Sequence, residues 1–504
     1  MNLLQWKLLP LLTLVASIFL VFYLQDPSQN GCSLLPHKHF WITSKRIVTP
    51  QGVISGAVEI NEGKIVSIVK EEERHGKIMG HHVIDYVDAV VMPGLVDIHV
   101  HLDDPGRSEW EGFPSGTKAA AAGGVTTLVD MPLNNFPSTT SEETLKLKIK
   151  AAEGRIYVDV GFWGGLVPEN AFNSSALESL LSAGALGLKS FMCPSGINDF
   201  PMTNITHIKE GLSVLAKYKR PLLVHSEIQQ SSPSPLQLEG SQDDPRSYST
   251  YLATRPPSWE EAAVRELLKV TNNTRPGGSA EGAHIHVAHL SDSGSTLELL
   301  KEAKRSGDSV SVETCTHYLA FSEEDIKDGD TRFKCAPPIR DKANKEKLWD
   351  ALMEGHIDML SSDHSPTLPD LKLPDSGDFL KAWGGISSLQ FDLSATWSHA
   401  KKRGVTMEQL ALWWSERPAK LAGLELKGAI AIGKHADIVA WAPDEEYDVN
   451  DKFPIYLKHP SISAYMGMRL SGKVLATFVR GQLVYEEKHA PTACGTPILA
   501  RVTD

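Results

Sequence analysis

The α/β fold class predicted by the sequence is a (β/α)8 barrel of the TIM type, with a small β-sandwich built from both ends of the chain. Three observations carry it. Between residues 93 and 427, short apolar runs of strand character alternate with amphipathic helical stretches, which calls for parallel strands joined by crossover helices. Eight such runs fall within about 330 residues, the number and span of a closed barrel carrying insertions. On either side lie β-type segments with turn signals and little helical pattern.

In chain order, Leu8 to Leu24 is an unbroken, almost wholly apolar run preceded by Lys7 and followed by Asp26. Its length sits at the lower limit of a membrane span, and residues 1–35 are read as a signal peptide or signal anchor and its linker. The positive flank would keep the N-terminus cytosolic and send the rest into the lumen. Membrane association is expected through this segment alone. Three N-glycosylation sequons, at Asn173, Asn204 and Asn272, agree with a glycoprotein of the secretory pathway, in the first place the endoplasmic reticulum.

Residues 36–92 form the first part of the sandwich: WITSKRIV, then AVEINEGKIVSIV, with Asn61-Glu62-Gly63 marking a hairpin. Residues 428–504 form the second, with ADIVAWAP and GKVLATFVRGQLVYE turning at Arg480-Gly481. The eight barrel strands are LVDIHVH, VTTLVDM, YVDVGFW, LGLKSFM, PLLVHSE, HIHVAHL, DSVSVET and IDMLSSD. Two long polar insertions, Gln229 to Pro257 and Ser365 to Lys381, follow strand ends. Loops of that kind lie on a barrel's active-site face, where they cover substrate.

Bulk properties exclude several classes. The 504 residues, 41% hydrophobic and 22% charged, suffice for a large core and leave little room for disorder. Net charge is −12 with no basic stripe, so nucleic acid is not an expected partner. The five cysteines are odd in number, far apart and without a C-x-x-C pair, which leaves isolated bridges at most. Self-association into a homo-oligomer stays open.

The sharpest chemical signal is GLVDIHVHLDDPGR, where Asp97, His99 and His101 alternate along a strand. Strand periodicity directs all three to one face. Two imidazoles at a strand's C-terminal end can bind a metal while Asp97 orients one of them from behind. Four further candidates fall at predicted strand ends: Lys189, His225, His289 and Asp363. With roughly 30 to 35 residues per βα unit, the spacing puts the candidates on strands 1, 4, 5, 6 and 8. In HIHVAHLS, parity separates His284 and His286 from His289 and sends the first two to the helix layer. His364 likewise faces away from Asp363, and His81 and His82 lie in a polar turn.

These residues resemble the cyclic amidohydrolase family of dihydroorotases, dihydropyrimidinases, hydantoinases and allantoinases, through PGLVDIHVH, GGVTTLVDMP, the lysine strand, HLS, KCAPPIRD and SSDHSP in that order from residue 40 on. The resemblance implies an N-carboxylated Lys189 bridging two divalent metals. His99, His101 and Asp363 would hold one metal, and His225 and His289 the other. Zinc is the first expectation, while manganese, cobalt and iron suit the same donors. It further implies attack by metal-activated hydroxide on a cyclic amide, with Asp363 carrying the proton to the leaving nitrogen.

For the substrate, dihydroorotases carry an arginine soon after the H-x-H pair, whereas here Asp103-Asp104 follows. A carboxylate at the mouth would repel anions and favour a neutral, NH-rich ring. DDPGRSEWEGF, MPLNNFPST and KAWGGI are similar to the allantoinase branch, above all that of plants, which implies ring opening of allantoin to allantoate in ureide breakdown. Asp103, Asn134 and the backbone around Ala336 are the expected substrate contacts. The alternatives are a hydantoinase or dihydropyrimidinase with the same ligands and, more remotely, a scaffold homologue without catalysis.

Overall fold

The computed structural model describes residues 32–230 and 244–501. The apolar run Leu8–Leu24 and residues 231–243 of the first insertion lie outside the described residues.

The N-terminal strands are β1 His39–Thr49, β2 Gly52–Asn61, β3 Lys64–Lys70, β4 Val83–Asp85 and β5 Val90–Pro93. The expected hairpin joins β2 to β3: Asn61 pairs with Lys64, and Glu62 and Gly63 both take positive φ (47° and 80°). That turn type matches the right-handed twist of paired strands. Strands of the barrel follow as β6 Leu95–Val100, β7 Val125–Asp130, β8 Asp159–Phe162, β9 Gly164–Gly165, β10 Leu188–Phe191, β11 Pro221–His225, β12 His284–Val287, β13 Val310–Cys315 and β14 Met359–Ser361. The C-terminal strands are β15 Ile438–Asp448, β16 Arg469–Val479, β17 Gln482–Glu486, β18 Lys488–His489 and β19 Pro497–Ile498. Arg480 and Gly481, again at positive φ, turn β16 into β17.

The two ends of the chain meet where β15 pairs antiparallel with β5, giving one nine-stranded sheet. This sheet folds over on itself. Phe40 on β1 and Phe478 on β16 stack with ring centroids 5.9 Å apart, although three strand spacings of about 4.8 Å separate their strands in the sheet. Their shared core includes Ile42, Ile60, Ile438 and Ala476. On its outer side, Ala436 N–H donates to Gly63 O and Ile65 N–H to Lys434 O, which ties β3 to the segment before β15. A disulfide between Cys32 and Cys494, 462 positions apart, pins the two termini of the described chain together.

The barrel strands are parallel throughout. One run of pairing goes from β6 to β8, and β9 continues it to β14. The ring closes where Val100 bridges His364 and His101 N–H donates to His364 O at 2.8 Å. Between β10 and β11, the helix Ile205–Tyr218 shows how the units form. Asn204 Oδ1 caps it by accepting from the Thr206 and His207 N–H groups, and Ile208, Leu212 and Leu215 present one buried stripe. Lys219, at φ 52°, ends it, and Pro221 opens the strand where no ladder donor is needed. Inside the barrel, Val96, Ile98, Val129, Trp163, Leu223 and Met359 fill the lower interior, with Trp163 Nε1 donating to Ile98 O at 2.8 Å.

Candidate metal centre

At the C-terminal end of the strands a cavity of about 540 Å³ opens, floored by His99, His101, His225, His289 and Asp363. His99 and His101 stand at and just beyond the end of β6, His225 closes β11, and His289 and Asp363 lie two residues past β12 and β14. Lys189 sits on β10 beneath them, fully buried, its Nζ without a hydrogen-bond partner. Six candidates from five separate parts of the sequence therefore share one site.

Three donors converge on one point. His99 Nε2 and His101 Nε2 lie 3.2 and 3.4 Å from the same oxygen, Asp363 Oδ1. His289 adjoins both His99 (centroids 5.2 Å) and His225 (4.4 Å). Phe191 stacks on His225 at 4.5 Å and fixes its plane. Burial works against the ionised Asp363, but His99 and His101 outweigh it and hold the carboxyl down at about 2. Burial also pushes the Lys189 ammonium down to about 8, and holds His289 well below the usual imidazole range, with His225 and Lys189 adding to the effect. His225 goes the other way: burial opposes its charge, yet the Cys193 sulfur and Glu227 raise it to about 9.

Two carboxylates missing from the sequence reading organise this floor. Glu313 on β13 contacts His99 Nδ1 and accepts from the His289 N–H at 3.2 Å. Glu227 Oε2 accepts from His225 Nε2 at 2.7 Å and pairs with Arg255 at 3.1 Å. Glu227 had a sequence signal: it follows His225 by two in LLVHSE, on the same strand face. Glu313 had only its place as the one carboxylate in an apolar strand run.

Asp97 is buried but faces neither imidazole ring. Its Oδ1 accepts from the backbone N–H groups of His99 (3.1 Å) and Ser362 (3.2 Å), so it splices β6 to the Asp363 loop. The alternation that predicted a shared face fails because the β6–β7 register shifts between Asp97 and Val100. A second parity error concerns His284 and His286. His286 is paired in register with Leu223, which is itself paired with Lys189, so it faces the barrel interior, 3.2 Å from Glu313. His284 shares that parity and touches Ser309 and Ser311. Its parity with His289 breaks because His289 takes φ 38°. His364 turns away from the cavity to Glu111 at 3.1 Å and accepts the Ser388 and Leu389 N–H groups.

Of the expected substrate contacts, Asn134 and Ala336 line the cavity. Asp103 does not. Its carboxylate is buried behind the wall, 1% exposed and without a hydrogen-bond partner, and burial together with Asp130 and Glu111 raises it well above the ordinary carboxyl range. A carboxyl group held there cannot screen the mouth against anions, so the charge argument for a neutral ring falls. The cavity wall instead carries Arg255, Trp259, Lys334 and Trp383. Both insertions reach the site, through Gln229, Tyr251 and Arg255, and through Ser365 and Leu380. Gly385 follows the second. Its φ of 137° and the Ser365 carbonyl against it admit no side chain.

The donor set fits a divalent metal centre: imidazoles and a carboxylate converge, and buried Lys189 Nζ, His101 Nδ1 and His289 Nδ1 have no other partner.

Comparison with known proteins agrees with this geometry. Residues 35–89 match the profile "Allantoinase, composite domain" and residues 90–484 the "Amidohydrolase family". The chain is 71% identical to an allantoinase of Arabidopsis thaliana, covering 99% of each chain. It is 61% identical to a probable allantoinase of Oryza sativa subsp. japonica, covering 98% of each. Among solved structures it is similar to an L-hydantoinase from Arthrobacter aurescens, with TM-score 0.82 and 27% identity over 92% of this chain and 100% of that one. With the metal-binding floor at the barrel mouth, these matches show that the chain belongs to the amidohydrolase family, in its allantoinase branch.

Proposed function

We propose that the protein opens the hydantoin ring of allantoin by hydrolysis, yielding allantoate, with two divalent metals, zinc in the first place. The observation that carries this reading is the convergence of His99, His101, Asp363, His225 and His289 over the unpartnered, buried Lys189. His99, His101 and Asp363 would hold one metal and His225 and His289 the other, with Lys189 carboxylated on Nζ as the bridge. The buried amine, depressed to about 8, is roughly one-tenth neutral at pH 7, and that form can add CO2 and release a proton. When bound, the metals supply Lewis acidity toward the ring carbonyl and toward water.

The chain's own groups do the rest. Asp363, ionised across the physiological range, takes the proton from the attacking water and hands it to the ring nitrogen as the C–N bond breaks. Glu313 and Glu227 hold the His99 and His225 rings in their tautomers. Asn134 and the Ala336 backbone border the cavity where the ring and its ureido arm would lie. The hydantoinase alternative has the structural likeness at 27% identity, against 71% for the allantoinase relative.

The direct test is turnover of allantoin, dihydrouracil and dihydroorotate side by side, with bound metal counted. Allantoin should dominate; preference for dihydrouracil would shift the reading to a dihydropyrimidinase.

We also propose residence in the secretory pathway, with the endoplasmic reticulum first. The apolar leader, the Cys32–Cys494 disulfide and the exposure of Asn173, Asn204 and Asn272 support it. Asn173 and Asn204 cap helices through Oδ1, which leaves the amide nitrogen available to carry a glycan. A glycosidase-sensitive mobility shift checks this, and its absence from the native protein would count against lumenal residence.

A further inference from the structure

The cavity wall contributed by the first insertion holds a cation that is fixed along one edge and uncommitted along the other. Arg255 follows the helix Tyr248–Thr254 and precedes Pro256 and Pro257. Its backbone is tied at both ends, the N–H donating to Leu252 O (3.1 Å) and the carbonyl accepting from Arg340 Nη1 (2.8 Å). The guanidinium is tied as well. Nε and Nη2 lie 3.3 and 3.1 Å from the two oxygens of Glu227, and Cζ stands 5.3 Å from the centroid of the Trp259 ring. A planar fork held by a carboxylate and an indole is pre-organised before any ligand arrives. Because Glu227 Oε2 also accepts from His225 Nε2 at 2.7 Å, the guanidinium stands one carboxylate away from the metal-binding floor.

Four other polar side chains of the cavity are spent on the protein itself. Lys334 Nζ donates to the Leu380 and Ala382 carbonyls (3.1 and 2.6 Å), and the Tyr251 hydroxyl to Cys335 O (2.6 Å). Thr254 Oγ1 donates to Tyr251 O (2.7 Å) and Ser195 Oγ to Phe200 O (2.7 Å). Arg255 Nη1, by contrast, makes no hydrogen bond among the described residues, and beyond Glu227 the contact of Nη2 is a long one to Cys193 Sγ (3.8 Å). The side chain keeps 19% exposure where it lines the cavity.

Resting on the reading of the site as one that opens allantoin, we infer that Arg255 selects for the ureido arm, its uncommitted edge donating to the arm's carbonyl oxygen while the ring lies over the floor. Hydantoin has the same ring and lacks the arm, so a site that prefers allantoin must read the arm. A ureido carbonyl is a hydrogen-bond acceptor, and a charged donor makes the stronger bond to it. The same charge rejects an arm that is itself cationic. Arg255 is thus a specificity-determining residue and moves no proton.

The test measures kcat/KM of the full chain, loaded with zinc, on three rings: allantoin, hydantoin, and the hydantoin whose arm is guanidino instead of ureido. The parent should prefer allantoin to hydantoin by roughly 10- to 100-fold and open the guanidino-armed ring more slowly than hydantoin. In Arg255→Met and Arg255→Ala the ratio of allantoin to hydantoin should fall toward one. Any loss passed through Glu227 and His225 to the metal is common to both rings and cancels in that ratio. Guanidinium ion at millimolar concentration should restore part of the ratio in Arg255→Ala. A ratio unchanged in both variants while both rates fall would make Arg255 a mere support of Glu227 and overturns the inference. So does a parent that opens hydantoin or the guanidino-armed ring as fast as allantoin, a result that can be read even if neither variant folds. In each of these cases allantoin turnover by the parent leaves the proposed function standing. A parent that opens none of the three rings sinks the functional reading and this inference with it.

Discussion

Replacing Lys189 by methionine keeps the length of the side chain and removes its charge, which separates the energetics of the metal-free fold from those of the loaded site. In the metal-free protein, burial lowers Lys189 from 10.5 to about 8. A folded value below the unfolded one means that the charged lysine destabilises the fold, fully below pH 8 and not at all above 10.5. The gap corresponds to about 3 kcal/mol. At pH 7 with chelator present, urea unfolding should therefore show Lys189→Met more stable than the parent by up to about 3 kcal/mol. Zinc and bicarbonate should reverse the order: the parent gains stability by binding metal and turns over allantoin, while the variant loses most bound metal and nearly all turnover. Short carboxylic acids added to Lys189→Ala should restore part of the activity by standing in for the carbamate. A variant that kept two metals and the parental rate, or was less stable than the parent without metal, would refute the buried-amine argument.

Glu313→Gln removes the carboxylate that orients His99 and accepts the His289 N–H, so metal affinity should fall roughly 10- to 100-fold in chelator competition; unchanged affinity would make Glu313 a bystander. Asp392, raised by burial from 3.8 to about 6, destabilises the fold when ionised. Asp392→Asn should thus be more stable by up to about 3 kcal/mol near pH 8 and indifferent below about pH 4, and equal gains at both pH values would show that charge is not the cause. Cys32→Ser breaks a bridge spanning 462 positions and should lower stability by roughly 2–5 kcal/mol, read by denaturant unfolding against the parent with and without reductant; a parent indifferent to reductant would mean the bridge does not form.

The barrel was legible because a parallel sheet buried on both faces writes each strand as an apolar run, and all eight runs are strands here. The candidate ligands were legible for a related reason: barrel chemistry gathers at strand ends, and the polar residues terminating those runs stand out. Orientation was less legible. Asp103, Asn134, His289 and Asp363 all take positive φ (61°, 69°, 38° and 44°), a conformation that non-glycine residues adopt sparingly and that cancels period-two reasoning. Asp103 accordingly turns behind the wall although it follows His101 by two, and His286 faces inward although parity sent it out. Contacts between distant segments were hidden for another reason. Nothing local in Glu313 announces His99, and nothing in Cys32 announces Cys494.

Asp363→Asn tests metal-dependent hydrolysis at its narrowest point. The carboxylate sits 3.2 Å from His99 Nε2 and 3.4 Å from His101 Nε2, and it is assigned both ligation and proton transfer. Asparagine keeps the shape and one oxygen donor but cannot accept and return a proton. The variant should fold, retain part of its metal and lose allantoin turnover by roughly 10²–10⁴-fold, with the limb of the pH profile assigned to this carboxylate gone from the residual activity. A variant that keeps its metals and turns over allantoin within a few-fold of the parent would show that another group moves the proton.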